Sequence, residues 1–414
     1  MSSDLQSFAR GAQDWIAQLL PRRVAGHEQV GPDDVAVFHN LTFEQEARLV
    51  ADAAGWQAQK WQAGYGALDW PSEFGGAGLS AEHVRLFSAI EAGFDIPADH
   101  ELRRITTNLV APTLRKYGSA DQISQLIPDF LSCRQLACQL FSEPGAGSDL
   151  AGLATRAVCD TDNTWIINGS KVWVSGAQFA DWGLLIARTD PDVPKHAGLT
   201  AFLVPMRSEG LEVRPIRQMS GGTSFNEIFF TDMRIPDGLR LGALGAGWQV
   251  TLTMLSFERN QSGSKAGVGG SWEQLLMLAR LREPAVDPVM AQELVGVYIH
   301  ERVRELTRRR AAQARANGSE VGPEGSLGKL LWVQGLTAIG NAAARLLGPD
   351  ILADTGEAGT YAWAAHLLGA PGFRIAGGSD EIQRNIIAER VLGLPPEPRV
   401  DTGVPWRELR SSAG

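Results

Sequence analysis

The hydrophobic rhythm of this 414-residue chain changes twice, and those two changes limit its architecture more than any single motif does. From about residue 40 to 132 apolar residues recur at three- and four-residue steps, as in TFEQEARLVADAAGWQAQKWQAG, the spacing of one buried helix face. Between 134 and 236 the period falls to two, in TWIINGSKVWVSG, LLIARTD, TAFLVPM, LEVRPI and NEIFFTDMRIP, which predicts a series of short strands. Helical spacing returns after Gly247 and lasts to about Leu392, broken at 282–288, 316–326 and 348–350. The order implies an α+β multidomain chain: an N-terminal helical domain (1–133), a central β domain (134–240) closed as a small β-barrel or packed as a sandwich, and a C-terminal four-helix bundle (241–414) with an oligomeric face. Within the strand-rich part, Asn168-Gly169 predicts a type I′ turn closing a hairpin, because that dipeptide accepts two positive φ values.

Charge and sulfur narrow the function. With 38 Lys and Arg against 47 Asp and Glu the net charge is -9, which argues against the diffuse positive field of a non-specific nucleic-acid binder. Cys133, Cys138 and Cys159 form no CxxC pair, and the seven histidines show no ligand spacing, so neither a disulfide framework nor a metal site is expected. Asp4, Arg10 and Asp14 interrupt the first twenty residues where a secretory signal would be apolar. The uncharged run Leu241–Phe257 is shorter than the ~20 residues of a spanning helix. A cytoplasmic protein without a membrane span is expected.

One segment carries chemistry on physical grounds. In LACQLFSEPGAGSDLAG (136–152) an apolar strand runs into a glycine-rich turn, where the backbone N–H groups near Gly145 and Gly147 and the hydroxyls of Ser142 and Ser148 could approach a flat or phosphorylated ligand. Read from composition alone, the same segment is equally a decorated β-turn. It is not a dinucleotide fingerprint, since GAGSDLAG lacks the third glycine, and GSLGKLL lacks the first glycine and the Ser/Thr of a P-loop.

QLFSEPGAGSD, followed by WIINGSKVWVSGAQFADW and closed near the C-terminus by GSDEIQRNIIAERVLGLP, resembles the acyl-CoA dehydrogenase family, and IAGGSDEIQRNII is most similar to its actinobacterial-type members that act on CoA thioesters in lipid or sterol breakdown. The resemblance implies FAD held between the β domain and the bundle. Gln139, Phe141 and Ser142 would lie along the isoalloxazine ring, with Gly147 and Ser148 in the same loop. Trp173 and Ser175, two apart on one strand and so expected to point the same way, would close its other side. Ser379 and Glu381 match further flavin contacts, and Ser148 a position near the CoA arm. The implied reaction removes a Cα proton and a Cβ hydride from an acyl-CoA thioester and passes electrons to an electron-transfer flavoprotein, in a homo- or hetero-oligomeric dimer or tetramer.

That reaction needs a carboxylate base in a dry pocket. The family's usual glutamate position is Gly377 here; the family's alternative, on the first helix of the C-terminal bundle, is matched by Glu258 in TMLSFERNQ, with Arg259 beside it in a supporting, substrate-side role. Two other segments depart from the family pattern. RRRAAQARANGSEVGPEGSLGKLL replaces an Arg-x-x-Phe-Gly segment, leaving Arg308, Arg309, Arg310 and Arg315 as candidate charges, and ARLLGPDILADTG replaces a Gln-x-x-Gly-Gly segment. Such losses resemble relatives built from two unlike subunits, so a non-catalytic subunit stands beside a flavin monooxygenase or oxidase as an alternative reading. Gly263, Gly267, Gly269 and Gly270 hint at room for a bulky acyl group, or at close helix packing.

Overall fold

A computed structural model describes residues 3–23, 35–262, 268–282, 286–316, 322–323, 325–353, 360–399 and 401–411. The expected order of helices, sheet and helices is observed. The N-terminal region holds α1 (Ser3–Leu19), α2 (Phe43–Gln62), α3 (Ala81–Glu91), α4 (Glu101–Ile105), α5 (Ala111–Tyr117) and α6 (Ala120–Leu131). Capping boxes fix two of the starts: the Thr42 hydroxyl accepts from Gln45 N–H while Gln45 reaches back, and Ser119 and Gln122 repeat the device. A π turn over Thr106–Val110 joins α4 to α5, and the Thr106 hydroxyl sits against Ala137, accepting its N–H at 2.8 Å. The entry of the first strand is thereby tied to this helix.

That strand, β1 (Ala137–Leu140), opens an eight-stranded sheet with β2 (Arg156–Cys159), β3 (Thr164–Ser175), β4 (Trp182–Arg188), β5 (Leu199–Pro205), β6 (Leu211–Ile216), β7 (Phe225–Pro236) and β8 (Arg240–Leu241). The strand order is β6-β7-β3-β2-β4-β5-β8, with β1 parallel to β4. The sheet does not close on itself, so the expected barrel is corrected to an open sheet: β6 and the two-residue β8 stand at its ends, and β6 is too exposed along its length to be covered by a closing partner. The continuous apolar runs of β4 and β5 have a different cause. Leu184 and Ile186 face a core shared with Phe130 of α6 and Met254, whereas Leu185 and Ala187 face a second core with Trp165 and Phe202. A strand buried on both faces has no polar side to alternate.

The Asn168-Gly169 hairpin is also corrected. β3 runs unbroken through it as one twelve-residue strand, with a register shift against β7 between Ile167 and Gly169. Asn168 is occupied in that shift, donating to Asp232 Oδ1 (2.9 Å) and accepting from Asp232 N–H (3.0 Å), and a Cβ on Gly169 would stand 2.7 Å from Thr155. The turn between β2 and β3 lies earlier, where Asp160 N–H donates to Thr164 O and Asn163 adopts φ 63°.

The C-terminal region contains α7 (Gly247–Ser262), α8 (Trp272–Leu281), α9 (Pro288–Ala316), α10 (Gly325–Leu347), α11 (Thr360–Ile375), α12 (Asp380–Ile386) and α13 (Trp406–Ser411). α10 is the hub, packed against α8, α9, α11 and α12. GSLGKLL belongs to α10, where Lys329 is buried. Gly269 and Gly270 have φ of 83° and 77°, and a Cβ on Gly269 would meet Leu336 at 2.3 Å, so these two serve close packing; Gly263 and Gly267 lie outside the described residues. No described helix is long and apolar enough to cross a membrane.

Candidate functional site

Two walls face the junction of sheet and bundle. The first is built on a buried ion pair. Glu143, in the glycine-rich motif, accepts from the backbone N–H of Ala154 (2.6 Å) and Thr155 (2.8 Å) and from Lys171 Nζ (2.8 Å). Lys171 is fully buried in β3 and also donates to Phe141 O at 3.0 Å. Burial alone would raise the Glu143 carboxyl, but Lys171 and the two N–H donors outweigh it and hold it below the usual carboxylate range. Burial pushes the Lys171 ammonium down to about 8 against the pull of Glu143. The pair clamps the motif onto β3, and Val172 N–H completes the seam by donating to Ser142 O at 2.9 Å. Neither residue stands out in the sequence; the available signal is one Glu and one Lys, each flanked by uncharged residues, in two neighbouring motifs.

This seam brings Ser142 next to Trp173. A second register shift of β3 against β7, between Lys171 and Val174, leaves Trp173 at φ 62° with its side chain 60% exposed. A left-handed backbone at a bulky residue is strained, and here it turns the indole out of the sheet into solvent. The bulge also replaces the simple i, i+2 alternation expected for Trp173 and Ser175. Ser175 and Gln139 are half-buried, Gly147 and Ser148 are exposed, and a Cβ on Gly145 or Gly147 would meet nothing within 4 Å. Phe141 differs: its ring is buried in the core beside Leu184, and only its carbonyl joins the seam. An exposed indole, two half-buried hydroxyls and an open glycine turn fit one face of a flat aromatic cofactor.

The second wall is the loop between α11 and α12. Gly377 and Gly378 take φ of 66° and 84°, and Ser379 caps α12 by accepting from Ile382 N–H (3.4 Å). Three residues beyond the expected set hold this loop. Lys329 Nζ donates to Gly378 O (2.8 Å), Gln383 Nε2 donates to Gly377 O (2.8 Å), and buried Asp380 pairs with Arg374 (2.8 Å). Burial lowers the Lys329 ammonium against the opposing pull of Asp380. Asp380 Oδ1 and Gln383 Oε1 are buried and accept no hydrogen bond from a described residue. A groove of about 340 Å³ beside them is lined by Asn341, Arg374 and Arg384. Glu381 points outward, 3.8 Å from Arg384. Arg308, Arg309 and Arg310 are exposed on α9, while the side chains of Arg259 and Arg315 lie outside the described residues.

Glu258 meets this second wall. It stands on α7, one turn beyond buried Met254, and its Oε1 is 3.6 Å from the point a Cβ on Gly377 would occupy. The two chain positions considered for the base therefore converge on one point in space.

A short N-terminal segment joins the walls. The Phe38 ring lies 5.3 Å from Phe225 and 5.0 Å from Phe373, and the series extends to Trp173 on one side and Trp332 on the other. Gly372 leaves room for it, since a Cβ there would sit 2.9 Å from the ring. Beside it, Glu46 accepts from Gln178 (3.2 Å) and from His100 Nε2 (3.3 Å), with His39 at 3.4 Å. His39, Glu46 and His100 lie within 4.8 Å of one another, but His100 Nδ1 accepts Leu102 N–H, so its Nε2 carries the proton given to Glu46. This is the bonding of a satisfied buried carboxylate.

Comparison with known proteins gives the family of the chain and of its fold. Residues 138–233 match the family model described as acyl-CoA dehydrogenase, middle domain, and residues 245–392 match acyl-CoA dehydrogenase, C-terminal domain. Acyl-CoA dehydrogenase IpdE1 of Mycobacterium tuberculosis is 36% identical over 399 residues, covering 95% of this chain and 99% of that protein. Acyl-CoA dehydrogenase FadE34 of the same organism is 33% identical across 94% of this chain and 53% of its own length. Among solved structures, the Tcur3481-Tcur3483 steroid ACAD superposes with a TM-score of 0.74 at 25% identity, covering 96% of this chain and 99% of that one. The ChsE4-ChsE5 complex from Mycobacterium tuberculosis gives 0.69 at 26%, covering 95% and 98%.

Proposed function

The chain belongs to the acyl-CoA dehydrogenase family of oxidoreductases, and from that premise we propose that it is an FAD-dependent enzyme converting an acyl-CoA thioester to the trans-2-enoyl-CoA, with Glu258 as the base. The observation that carries the reading is the convergence of Glu258 Oε1 on the Gly377 position, 3.6 Å away, because it gives one carboxylate to one site. Glu258 takes the Cα proton while the Cα–Cβ double bond forms. Bound FAD supplies the acceptor for the Cβ hydride. Ser142, Trp173 and Ser175 would hold its ring from the sheet side, with Gln139 and Gly147 alongside, and Ser379 with the Arg374 and Arg384 groove would receive its phosphate arm. Ser148, in the exposed glycine turn, would meet the CoA arm, with Arg259 supporting the substrate side. Met254, one turn back on α7, belongs to the buried core, so the helix that carries Glu258 is anchored by its apolar face.

The acyl group is proposed to be bulky and ring-bearing, by analogy with the steroid ACAD to which the chain is similar. Electrons would pass to an electron-transfer flavoprotein, in an oligomer working in the cytoplasm. The test is anaerobic mixing of the purified chain with straight-chain and ring-bearing acyl-CoA thioesters while the flavin absorbance is followed. Bleaching is expected, and Glu258→Gln should keep bound flavin yet bleach about 100-fold more slowly, the scale of general-base catalysis. An unchanged rate would move the base elsewhere, and a chain that gains flavin only with a second polypeptide would favour the subunit reading.

A further inference from the structure

Past α12 the chain does not stop at the bundle. Residues 401–411 cross to the sheet region and lie against the turn that follows the glycine-rich motif. Trp406 N–H donates to Val193 O (3.0 Å) and Arg407 N–H to Pro191 O (3.1 Å), while the Arg407 guanidinium grips Asp192 at 2.5 Å and 2.9 Å. Two further contacts reach the motif itself. Trp406 Nε1 donates to Gly152 O (3.2 Å), and Lys195 Nζ lies between Asp149 (2.7 Å) and Asp401 (2.5 Å).

Arg188 organises this junction from the end of β4. It is 3% exposed, donates to Ala151 O (2.6 Å), Leu153 O (3.1 Å) and Lys195 O (3.2 Å), and carries the Trp406 ring 4.3 Å from its guanidinium carbon. The loop that this junction serves has little to fix it from within. A Cβ at Gly145 or Gly147 would touch nothing, and Ser148 and Asp149 are exposed. Its place is therefore set at its two ends: by the reciprocal Glu143–Ala146 bonds at one, and by Arg188, Lys195, Trp406 and Asp401 at the other.

We propose that the C-terminal strap, residues 401–411, is a positioning element that holds the Gly147–Asp149 loop in the conformation in which Ser148 meets the CoA arm of the substrate. The inference deepens the acyl-CoA reading and rests on it for the ligand. None of the strap residues is assigned to the reacting atoms, so weakening the strap changes substrate capture and leaves the chemical step.

The test uses the full chain with the paired substitutions Trp406→Ala and Asp401→Asn. Flavin absorbance and unfolding midpoint are expected to match the parent. KM for the acyl-CoA should rise about tenfold with the limiting bleaching rate kept within about twofold, the signature of lost binding without lost transition-state contact. Amide hydrogen exchange over 145–153 should accelerate, a readout that needs no substrate. Trp406→Phe keeps the ring against Arg188 and should recover part of the KM. Unchanged KM with unchanged exchange overturns the proposal, as does a fall in the limiting rate at unchanged KM. If no thioester bleaches the parent protein, the acyl-CoA reading fails, and exchange over 145–153 still decides whether the strap orders the loop.

Discussion

Both walls of the site are held by a buried carboxylate near a buried lysine, yet they are finished differently. On the sheet side Glu143 has a donor on each oxygen and Lys171 has two acceptors, so every strong group is satisfied within the chain. On the bundle side Lys329 stands 3.7 Å from Asp380, beyond hydrogen-bond reach, and among the described residues nothing donates to Asp380 Oδ1 or Gln383 Oε1. A satisfied buried network fixes one geometry, whereas a partly satisfied one has binding capacity left over. The contrast assigns rigidity to the wall that would carry the flavin ring, and adaptability to the wall beside the base.

The largest expected effect breaks the finished wall. Lys171→Met leaves Glu143 charged, buried and without its cation, which costs about 3–5 kcal/mol of stability. Urea unfolding measures this loss, and the added change Glu143→Gln should recover much of it. An effect no larger than that of a surface pair would mean that water reaches Glu143 and the wall is not sealed.

The unfinished wall should respond less. Asp380→Asn keeps an acceptor for Arg374 and removes a charge that is only partly matched, so about 1.5–3 kcal/mol is expected, the scale of one hydrogen bond to a charged group. The same unfolding assay reads it. A loss equal to that of Lys171→Met would erase the distinction between the walls.

The comparison also shows what the sequence made legible. Helix and strand regions followed from period alone, because burial on one face imposes 3.6 or 2. The exposed turn residues Gly147 and Ser148 and the indole of Trp173 were visible as motifs. The Glu143–Lys171 pair was not, since its members lie 28 residues apart and meet only once the glycine-rich motif folds back onto β3. Asn168-Gly169 misled for the same reason: a dipeptide suited to positive φ serves a bulge as well as a turn, and Asp232, far along the chain, decided between them. The Phe38 segment gave no periodic signal because it is neither helix nor strand, and its partners are the small residues Gly369 and Gly372 on a distant helix.

A pH series sharpens the contrast further. Glu143 is more acidic in the folded protein than in the unfolded chain, so the unfolded state binds more protons near and below the ordinary value of 4.5. Its contribution is fully present above that value and is lost as pH falls through the lowered folded one. The stability difference between the parent and the Glu143→Gln/Lys171→Met double variant should therefore be constant from about pH 5.5 to 7, grow as pH rises past about 8 where the folded Lys171 sheds its proton, and shrink in acid. A difference that stayed flat to pH 2 would show that Glu143 was never held ionised.

The smallest expected effect concerns the point where the unfinished wall meets the base. Gly377 has φ 66°, a conformation that costs a side-chain-bearing residue about 1–2 kcal/mol. The methyl group of Gly377→Ala would stand 3.6 Å from Glu258 Oε1, which is ordinary contact and demands no displacement of the carboxylate. The substitution should lower stability by that backbone term and change the bleaching rate by less than about threefold, since no transition-state contact is removed. Gly377→Val, with two more methyl groups directed at the same oxygen, should displace Glu258 and slow bleaching far more. Equal rates in the two variants would mean that the Glu258 carboxylate turns away from Gly377 when substrate binds, and that the adaptable wall includes the base itself.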